Sequence, residues 1–305
     1  MLSPTGDPVE GPGMILVFGS INIDLLVPVP DLPRPGETVL GGDYALLPGG
    51  KGANQALAAR RAGATVMLAG AVGDDAFAGA ALELLRGDGV DLELVRRAPQ
   101  PTGCAAIMVA ATGENLIAVA SGANAAALAG DVPDDLLGRG TILVCQMEVP
   151  GEETADLIRR ATARGATTLL NLAPAAAIPP DLFGAIDFLI ANAGEAVTLG
   201  DDPARVAQRL RQGLVVMQGA AGATAFVADG SRLNVPALAI EPVDTTGAGD
   251  TFVGAFAAGL DQGLALSAAL RRASAAAGLA CLARGAQTAM PDAAAIDTAV
   301  ARLPA

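Results

Sequence analysis

Asp244-Thr245-Thr246-Gly247-Ala248-Gly249-Asp250-Thr251-Phe252 is the stretch on which the reading of this chain turns. Small residues at 247–249 let successive backbone N–H groups converge without side chains in the way, and an apolar helix starts directly after them. A helix N-terminus with free amides is a ready anion site. Asp250 stands where a carboxylate can take the proton from an attacking hydroxyl. A plainer reading competes, with Asp250 as an N-cap and the glycines as a tight turn. Neither this loop nor the glycine-rich segment around Lys51 is a Walker A sequence, because Lys51 is followed by Gly52 instead of Ser or Thr. It is not a dinucleotide fingerprint either: after Gly247 and Gly249 the third glycine position holds Phe252.

Outward from this loop, short apolar strands alternate with helices built from small residues. Strands are expected at Met14–Phe18, 65–69, Thr141–Cys145, Thr167–Asn171, 188–191 and 214–217. Helices are expected at 52–62, 75–86, 153–163, 203–211, 251–260 and 266–282. Such alternation predicts an α/β fold with a mostly parallel sheet covered on both faces. Residues 24–47 and 103–120 break the rhythm with strand-like runs and turn residues. They read as short antiparallel excursions, of the kind used as a lid. Residues 1–13 read as a mobile tail and 14–305 as one domain carrying that lid.

Composition narrows the function. The net charge of −13 argues against nucleic-acid or anionic-membrane partners, which call for basic patches. The absence of histidine removes His-based triads, HExxH zinc sites and imidazole bases together. Acid–base chemistry then falls to carboxylates, Lys, Tyr or Cys. No apolar run approaches the ~20 residues of a membrane span. The three separated cysteines, without CxxC spacing, read as free thiols in a reducing cytoplasm.

The string DTTGAGDTFVGAF at 244–256 resembles the second signature of the ribokinase-like (PfkB) carbohydrate kinases. The segment Gly49-Gly50-Lys51-Gly52-Ala53-Asn54-Gln55-Ala56, with Gly63 and Gly73 beyond it, resembles the first. The resemblance runs from about residue 14 to about residue 291. It implies a three-layer α/β/α fold with a small β-strand lid that also forms a homodimer contact. It further implies Asp250 as catalytic base, with the amides of Gly247, Ala248, Gly249 and Asp250 as an anion hole for phosphate. That hole answers the charge problem, since backbone dipoles hold an anion without much basic protein.

Asn22 and Asp24 lie two apart, so on an extended segment they point the same way and can share donor and acceptor contacts to adjacent sugar hydroxyls. Taken alone, they are as readily turn residues. The resemblance assigns them to sugar binding, together with Gly50, Lys51, Asn54 and Glu148. It assigns Asn192 and Glu195 to the magnesium–phosphate end, with Glu195 reaching Mg²⁺ through water. By themselves the pair reads as a helix cap. Gly219 and Gly222 fall on the family's nucleotide loop, although the usual Thr before it is Met217 here. Ser274 stands where the family places a polar residue near the ATP base. Asp244 and Thr246, with the carbonyls of Ala280, Ala283 and Gly285, match a K⁺ cage whose last ligand position holds Ala289 in this chain. A plain helix-end loop is the competing reading of residues 280–285.

The lid bears on the acceptor. Arg34 is the only basic residue in 24–47, and 103–120 has none, so a sugar already bearing phosphate is poorly served. Tyr44 is the only aromatic of either stretch, which leaves a nucleoside base without a stacking platform. A small neutral sugar fits best. The strings LPRPGET at 32–38 and TGENLIAVASGANAAAL at 112–128 resemble the ribokinase branch, which implies ATP-dependent phosphorylation of the ribose 5-hydroxyl. Fructose, 2-deoxyribose or a nucleoside as acceptor, and a non-catalytic sugar or nucleotide sensor, are the alternatives.

Overall fold

The computed structural model describes residues 13–304, so the tail expected at 1–13 lies outside the described residues except for Gly13. The strands are β1 (Met14–Phe18), β2 (Asn22–Val29), β3 (Ala45–Gly49), β4 (Val66–Gly73), β5 (Val95–Ala98), β6 (Gly103–Ala110), β7 (Asn115–Ala120), β8 (Thr141–Cys145), β9 (Thr167–Asn171), β10 (Phe188–Asn192), β11 (Gly213–Met217), β12 (Ala223–Val227) and β13 (Arg232–Val235). The helices are α1 (Lys51–Arg61), α2 (Ala76–Ala81), α3 (Glu83–Gly87), α4 (Gly151–Arg164), α5 (Ala193–Val197), α6 (Pro203–Ala207), α7 (Ala248–Asp261), α8 (Leu266–Ala280) and α9 (Ala293–Val300).

Nine strands form the main sheet in the order β13-β12-β11-β10-β9-β8-β1-β4-β5. From β11 to β5 every pairing is parallel, and β12 and β13 add an antiparallel edge. β1 shows why the sheet sits in the middle of three layers. Ile15 and Val17 pack into one core with α1, α7 and α8, whereas Leu16 and Phe18 pack into another with α4 and α6. Successive side chains leave opposite faces of a strand, so a continuous apolar run requires cover on both sides. Among the described residues no helix is long and apolar enough to cross a membrane.

The chain lays β4 and β5 to one side of β1, then returns with β8 through β11 on the other. Strand order therefore reverses between β1 and β8, and the crevice outside the C-terminal ends of the strands at such a switch point is where open α/β sheets bind ligands. Ser20 leaves β1 there, and Gln146 and Glu148 leave β8.

A second sheet, in the order β3-β2-β6-β7, stands on this crevice. Its central pair, β2 and β6, is parallel, with Asn22 opposite Gly103 and Asp24 opposite Ala105. This corrects the expectation of purely antiparallel excursions, because the two lid segments cross the sheet side by side instead of each folding back alone. Other boundaries also move. The helix expected over 75–86 is broken at Leu82, whose φ of −102° and ψ of 0° separate α2 from α3. The helix expected over 203–211 ends at Ala207. β4 continues past Ala69 to Gly73, buried throughout except Met67.

Two close approaches fix the geometry around the crevice. A Cβ on Gly52 would lie 2.5 Å from the Gly19 carbonyl carbon, so the start of α1 rests against the end of β1. A Cβ on Gly254 would lie 2.5 Å from the Gln55 carbonyl oxygen, so α7 packs directly on α1. Gly50, at φ 90°, turns the chain between β3 and α1 in a conformation that side chains disfavour.

Candidate active site

Asp250 opens the first turn of α7, directly after Gly247, whose φ of 74° makes the left-handed turn into the helix. The carboxylate is buried, and both of its oxygens are held by amides from α1. Asn54 donates from Nδ2 to Oδ2 at 2.9 Å, and Gln55 donates from Nε2 to Oδ1 at 2.9 Å. This is not the geometry of an N-cap, whose carboxylate would accept from amides of its own first turn. The close packing at Gly254 is what puts these amides within reach.

The residues expected at the sugar come from three segments at the switch point. Glu148 accepts from Ser20 Oγ at 2.5 Å and from the Lys51 backbone amide at 3.2 Å, and its Oε1 lies 3.9 Å from Lys51 Nζ. Burial pulls the Lys51 ammonium down, but the charges of Asp250, Glu148, Glu195 and Asp24 outweigh it and raise its pKa overall. Asp24 is pushed up to about 6, first by burial and then by the charges of Glu148 and Asp250, with Lys51 pulling back. Burial likewise raises Asp250, against the opposing influence of Lys51, Asn54 and Gln55. Asn22, Asp24, Gly50, Lys51, Asn54, Glu148 and Asp250 therefore converge on one chamber of three carboxylates around one ammonium.

Asn22 has a partner that the sequence reading did not name. The Ile21 amide donates to Asn124 Oδ1 at 2.8 Å, and Asn124 Nδ2 donates to Asn22 Oδ1 at 2.6 Å. A backbone N–H needs an acceptor, so it fixes which way Asn124 points and hence which way Asn22 points. The Asn22 oxygen is occupied and its NH₂ remains to donate, while Asp24 accepts. Gln55, Gln146, Asn171 and Gln287 were also missed. They come from α1, the end of β8, β9 and the loop before α9, and only Gln55 lies within a quoted motif.

Of the residues expected at the nucleotide, Asn192 and Glu195 form a reciprocal cap on α5: each side chain accepts from the other's backbone amide at 2.8 Å. Glu195 still faces the chamber closely enough to raise Lys51. Gly219 and Gly222 take φ values of 58° and 89° at the turn from β11 to β12. A Cβ on Gly222 would run into the Val235 carbonyl oxygen, so that glycine answers to a close backbone approach. A Cβ on Gly249 would lie 3.6 Å from Met217 Cε, which places the Met217 thioether against the anion loop where a Thr was expected. Ser274 is committed elsewhere, with its hydroxyl donating to the Pro236 carbonyl at 2.6 Å.

Asp244 ties the anion loop to the end of α8. Its Oδ1 accepts from the Thr246 amide at 2.9 Å and hydroxyl at 2.7 Å, and its Oδ2 accepts from the Gly285 amide at 2.9 Å. Burial works to raise its pKa, but these donors and Arg284 lower it overall, so it stays ionised. The Cys281 carbonyl, accepting from the Val243 and Asp244 amides, closes the same junction. Among the described residues no group of three or more His, Cys, Asp or Glu side chains could hold a metal. A cation here would depend on one carboxylate with hydroxyl and main-chain oxygens, a donor set suited to a large monovalent ion.

Comparison with known proteins identifies the family. The sequence profile of the pfkB family carbohydrate kinases matches residues 13–293. The ribokinase of Bacillus subtilis is 36% identical over 283 residues, covering 91% of this chain and 96% of that one. Among solved structures, the ribokinase of Thermotoga maritima superposes with a TM-score of 0.88 at 28% identity, covering 95% of this chain and 99% of that one. The Arabidopsis thaliana ribokinase complexed with ribose and ATP superposes with a TM-score of 0.86 at 30% identity and the same coverage. The chain belongs to the pfkB family of carbohydrate kinases.

Proposed function

We propose that the protein transfers the γ-phosphoryl group of ATP to the 5-hydroxyl of D-ribose. The observation that carries this reading is the Asp250 carboxylate, buried beside the anion loop and held at both oxygens by Asn54 and Gln55, in one chamber with Asp24, Lys51 and Glu148. The ribose and ATP of the Arabidopsis relative support it.

Asn22 donates to, and Asp24 accepts from, adjacent sugar hydroxyls, which leaves the exocyclic hydroxyl directed at Asp250. Asp250 orients that hydroxyl and takes its proton as the oxygen attacks phosphorus in line. The amides of Gly247, Gly249 and Asp250 and the Lys51 ammonium stabilise the charge spread over the transferred group, while the Ala248 amide donates to the Thr245 carbonyl at 3.2 Å. Lys51 suits this task because four carboxylates keep it protonated.

Glu195 would hold Mg²⁺ through water, and Asp244, Thr246 and the main-chain oxygens of Ala280, Ala283 and Gly285 would hold K⁺. Mg²⁺ supplies charge neutralisation on the nucleotide phosphates, and K⁺ adds fixed positive potential beside the anion loop. Gly219 and Gly222 border the nucleotide, whereas the Ser274 hydroxyl is already donated to the Pro236 carbonyl. Activity in K⁺ against tetramethylammonium at matched ionic strength reads the monovalent site.

The β3-β2-β6-β7 sheet acts as the lid over the sugar. Ile117 and Val119, exposed by 56% and 59%, lie on the same face as Asp24 where it runs on to β7, and this apolar part of the sheet is the homodimer contact. Three free cysteines suit a reducing compartment such as the cytoplasm. The test is product identification. Incubation with ribose and ATP yields ADP and ribose 5-phosphate by phosphorus NMR; a product phosphorylated at another carbon overturns the placement of the sugar.

A further inference from the structure

Asp250 is held by more than its immediate neighbours. Gln55 Nε2 spans Asp250 Oδ1 at 2.9 Å and Asn171 Oδ1 at 3.0 Å, while Gln55 Oε1 accepts from Gln146 Nε2 at 2.7 Å. On the other side, Asn54 Oδ1 accepts from Gln287 Nε2 at 3.1 Å as its Nδ2 donates to Asp250 Oδ2. Gln55, Gln146 and Gln287 are each fully buried, and Asn171 is 2% exposed. An ionised carboxylate only accepts, so each amide touching it must present NH₂ and turn its oxygen away. Each oxygen so turned meets the NH₂ of another glutamine. The direction of every bond is thereby set, and none of these outer amides meets the sugar chamber through a bond of its own.

We infer that Gln55, oriented by Gln146 and Asn171, is a positioning residue that fixes the rotamer of Asp250 and keeps its carboxylate ionised for proton abstraction. This rests on the kinase reading above. A base buried among apolar and like-charged groups is driven toward its neutral form, and a neutral Asp250 cannot take a proton. Lys51 opposes that drive from the chamber side, Glu148 adds to it, and Gln55 with Asn54 opposes it from α1. Gln55 differs from Lys51 in holding the carboxylate from behind, so it acts whether or not substrate is bound. It also locks one oxygen, leaving the remaining lone pairs aimed at the incoming hydroxyl.

The test is Gln55→Met, which keeps length and helix propensity but donates nothing, with Gln55→Glu as a second variant that retains the acceptor for Gln146. The readout is kcat against pH from about 5 to 9, with KM for ribose and ATP, alongside thermal unfolding. In Gln55→Met the acidic limb should move up by about one pH unit, the size expected when a hydrogen bond to a charge is lost. Turnover on the acidic side of the limb should fall by up to about 10-fold and recover toward wild type as pH rises, with both KM values within about threefold. Gln55→Glu should move the limb further, because two facing carboxyls share one proton. A variant that is merely less stable, with lower Tm and the wild-type limb, overturns the inference, as does a loss of ribose affinity at unchanged kcat. If Gln55→Met does not fold, the limb of Gln55→Glu decides alone. Absence of kinase activity in the wild type would sink the functional reading itself, and that outcome is separate from an unmoved limb in an active enzyme.

Discussion

Asp24 and Asp250 are both buried carboxyls, and both are raised by burial, yet the chemistry asks opposite things of their protons. Asp250 must gain one during the reaction, so Asp250→Asn removes the acceptor while keeping shape. Its kcat should fall about 10²–10⁴-fold, the usual worth of a positioned base, with ribose and ATP affinity little changed. More than a tenth of wild-type turnover in that variant would leave Asp250 without a catalytic role. Asp24 must stay ionised to accept sugar hydroxyls, although its pKa is pushed up to about 6. The sign follows from linkage. The folded pKa lies above the ordinary value of 3.8, so the native state binds the proton more tightly than the unfolded chain. Stability contributed by this group is present below about pH 4 and is lost as pH rises through about 6. Asp24→Asn should therefore raise Tm at pH 7.5 and lose that advantage as pH falls toward 4, while weakening ribose binding by about 1.5–3 kcal/mol. Thermal unfolding of variant and wild type at several pH values checks the first part, and ribose KM the second. A Tm lowered by Asp24→Asn at pH 7.5 would contradict the strained reading of this carboxyl.

At the scale of elements, the site depends on how closely α7 rests on α1. Gly254 has no room for a methyl group, since it would meet the Gln55 carbonyl oxygen at 2.5 Å and the Ala58 Cβ at 2.6 Å. Gly254→Ala should destabilise the fold by about 1–3 kcal/mol through overpacking. It should also cost turnover in the surviving folded enzyme, because α7 carries Asp250 away from its amides on α1. Equal turnover per folded molecule, measured after correcting for the unfolded fraction, would show that the helix spacing does not matter to the base. Elements differ in how far the sequence betrays them. β1, β8 and β9 have the bounds read from sequence because they are buried on both faces and appear as unbroken apolar runs. β5, with Arg96 and Arg97 inside it, carries no such run, and its pairing with β4 is set by distant chain. The parallel pairing of β2 with β6 has no local signal, since register between remote segments is a tertiary outcome. The same holds for the site. Asn22, Asp24, Lys51, Asn54 and Asp250 were legible because each falls in a compact motif, whereas Gln146, Asn171 and Gln287 come from separate elements and look like ordinary polar residues until the sheet brings them together.

At the scale of the whole molecule, the face of the second sheet that carries Asn22 and Asp24 runs on across β6 to β7, where it is apolar and open. Every residue of β7 is exposed, with Ile117 and Val119 on that face and Leu116 on the opposite one. A second copy covering that face would bury these side chains and close the sheet edge. The wild type should sediment as a dimer in analytical ultracentrifugation, and Ile117→Lys with Val119→Lys as a monomer. Ribose KM should rise as the lid loses its support. A wild type that sediments as a monomer at micromolar concentration would remove the dimer from the account. The main-sheet core, by contrast, is complete within one chain, so the monomeric variant should keep its Tm to within a few degrees.

The central claim is that this chamber phosphorylates ribose, and its most direct test is kcat/KM for D-ribose, 2-deoxyribose, fructose, fructose 6-phosphate and adenosine in one buffer. Ribose should lead. 2-Deoxyribose should follow, because a site built to pair each hydroxyl is left with unpaired polar groups when one is missing. Fructose 6-phosphate should fare worst, facing Asp24, Glu148 and Asp250 with only Lys51 to receive its charge. Fructose or adenosine exceeding ribose by tenfold would contradict the account.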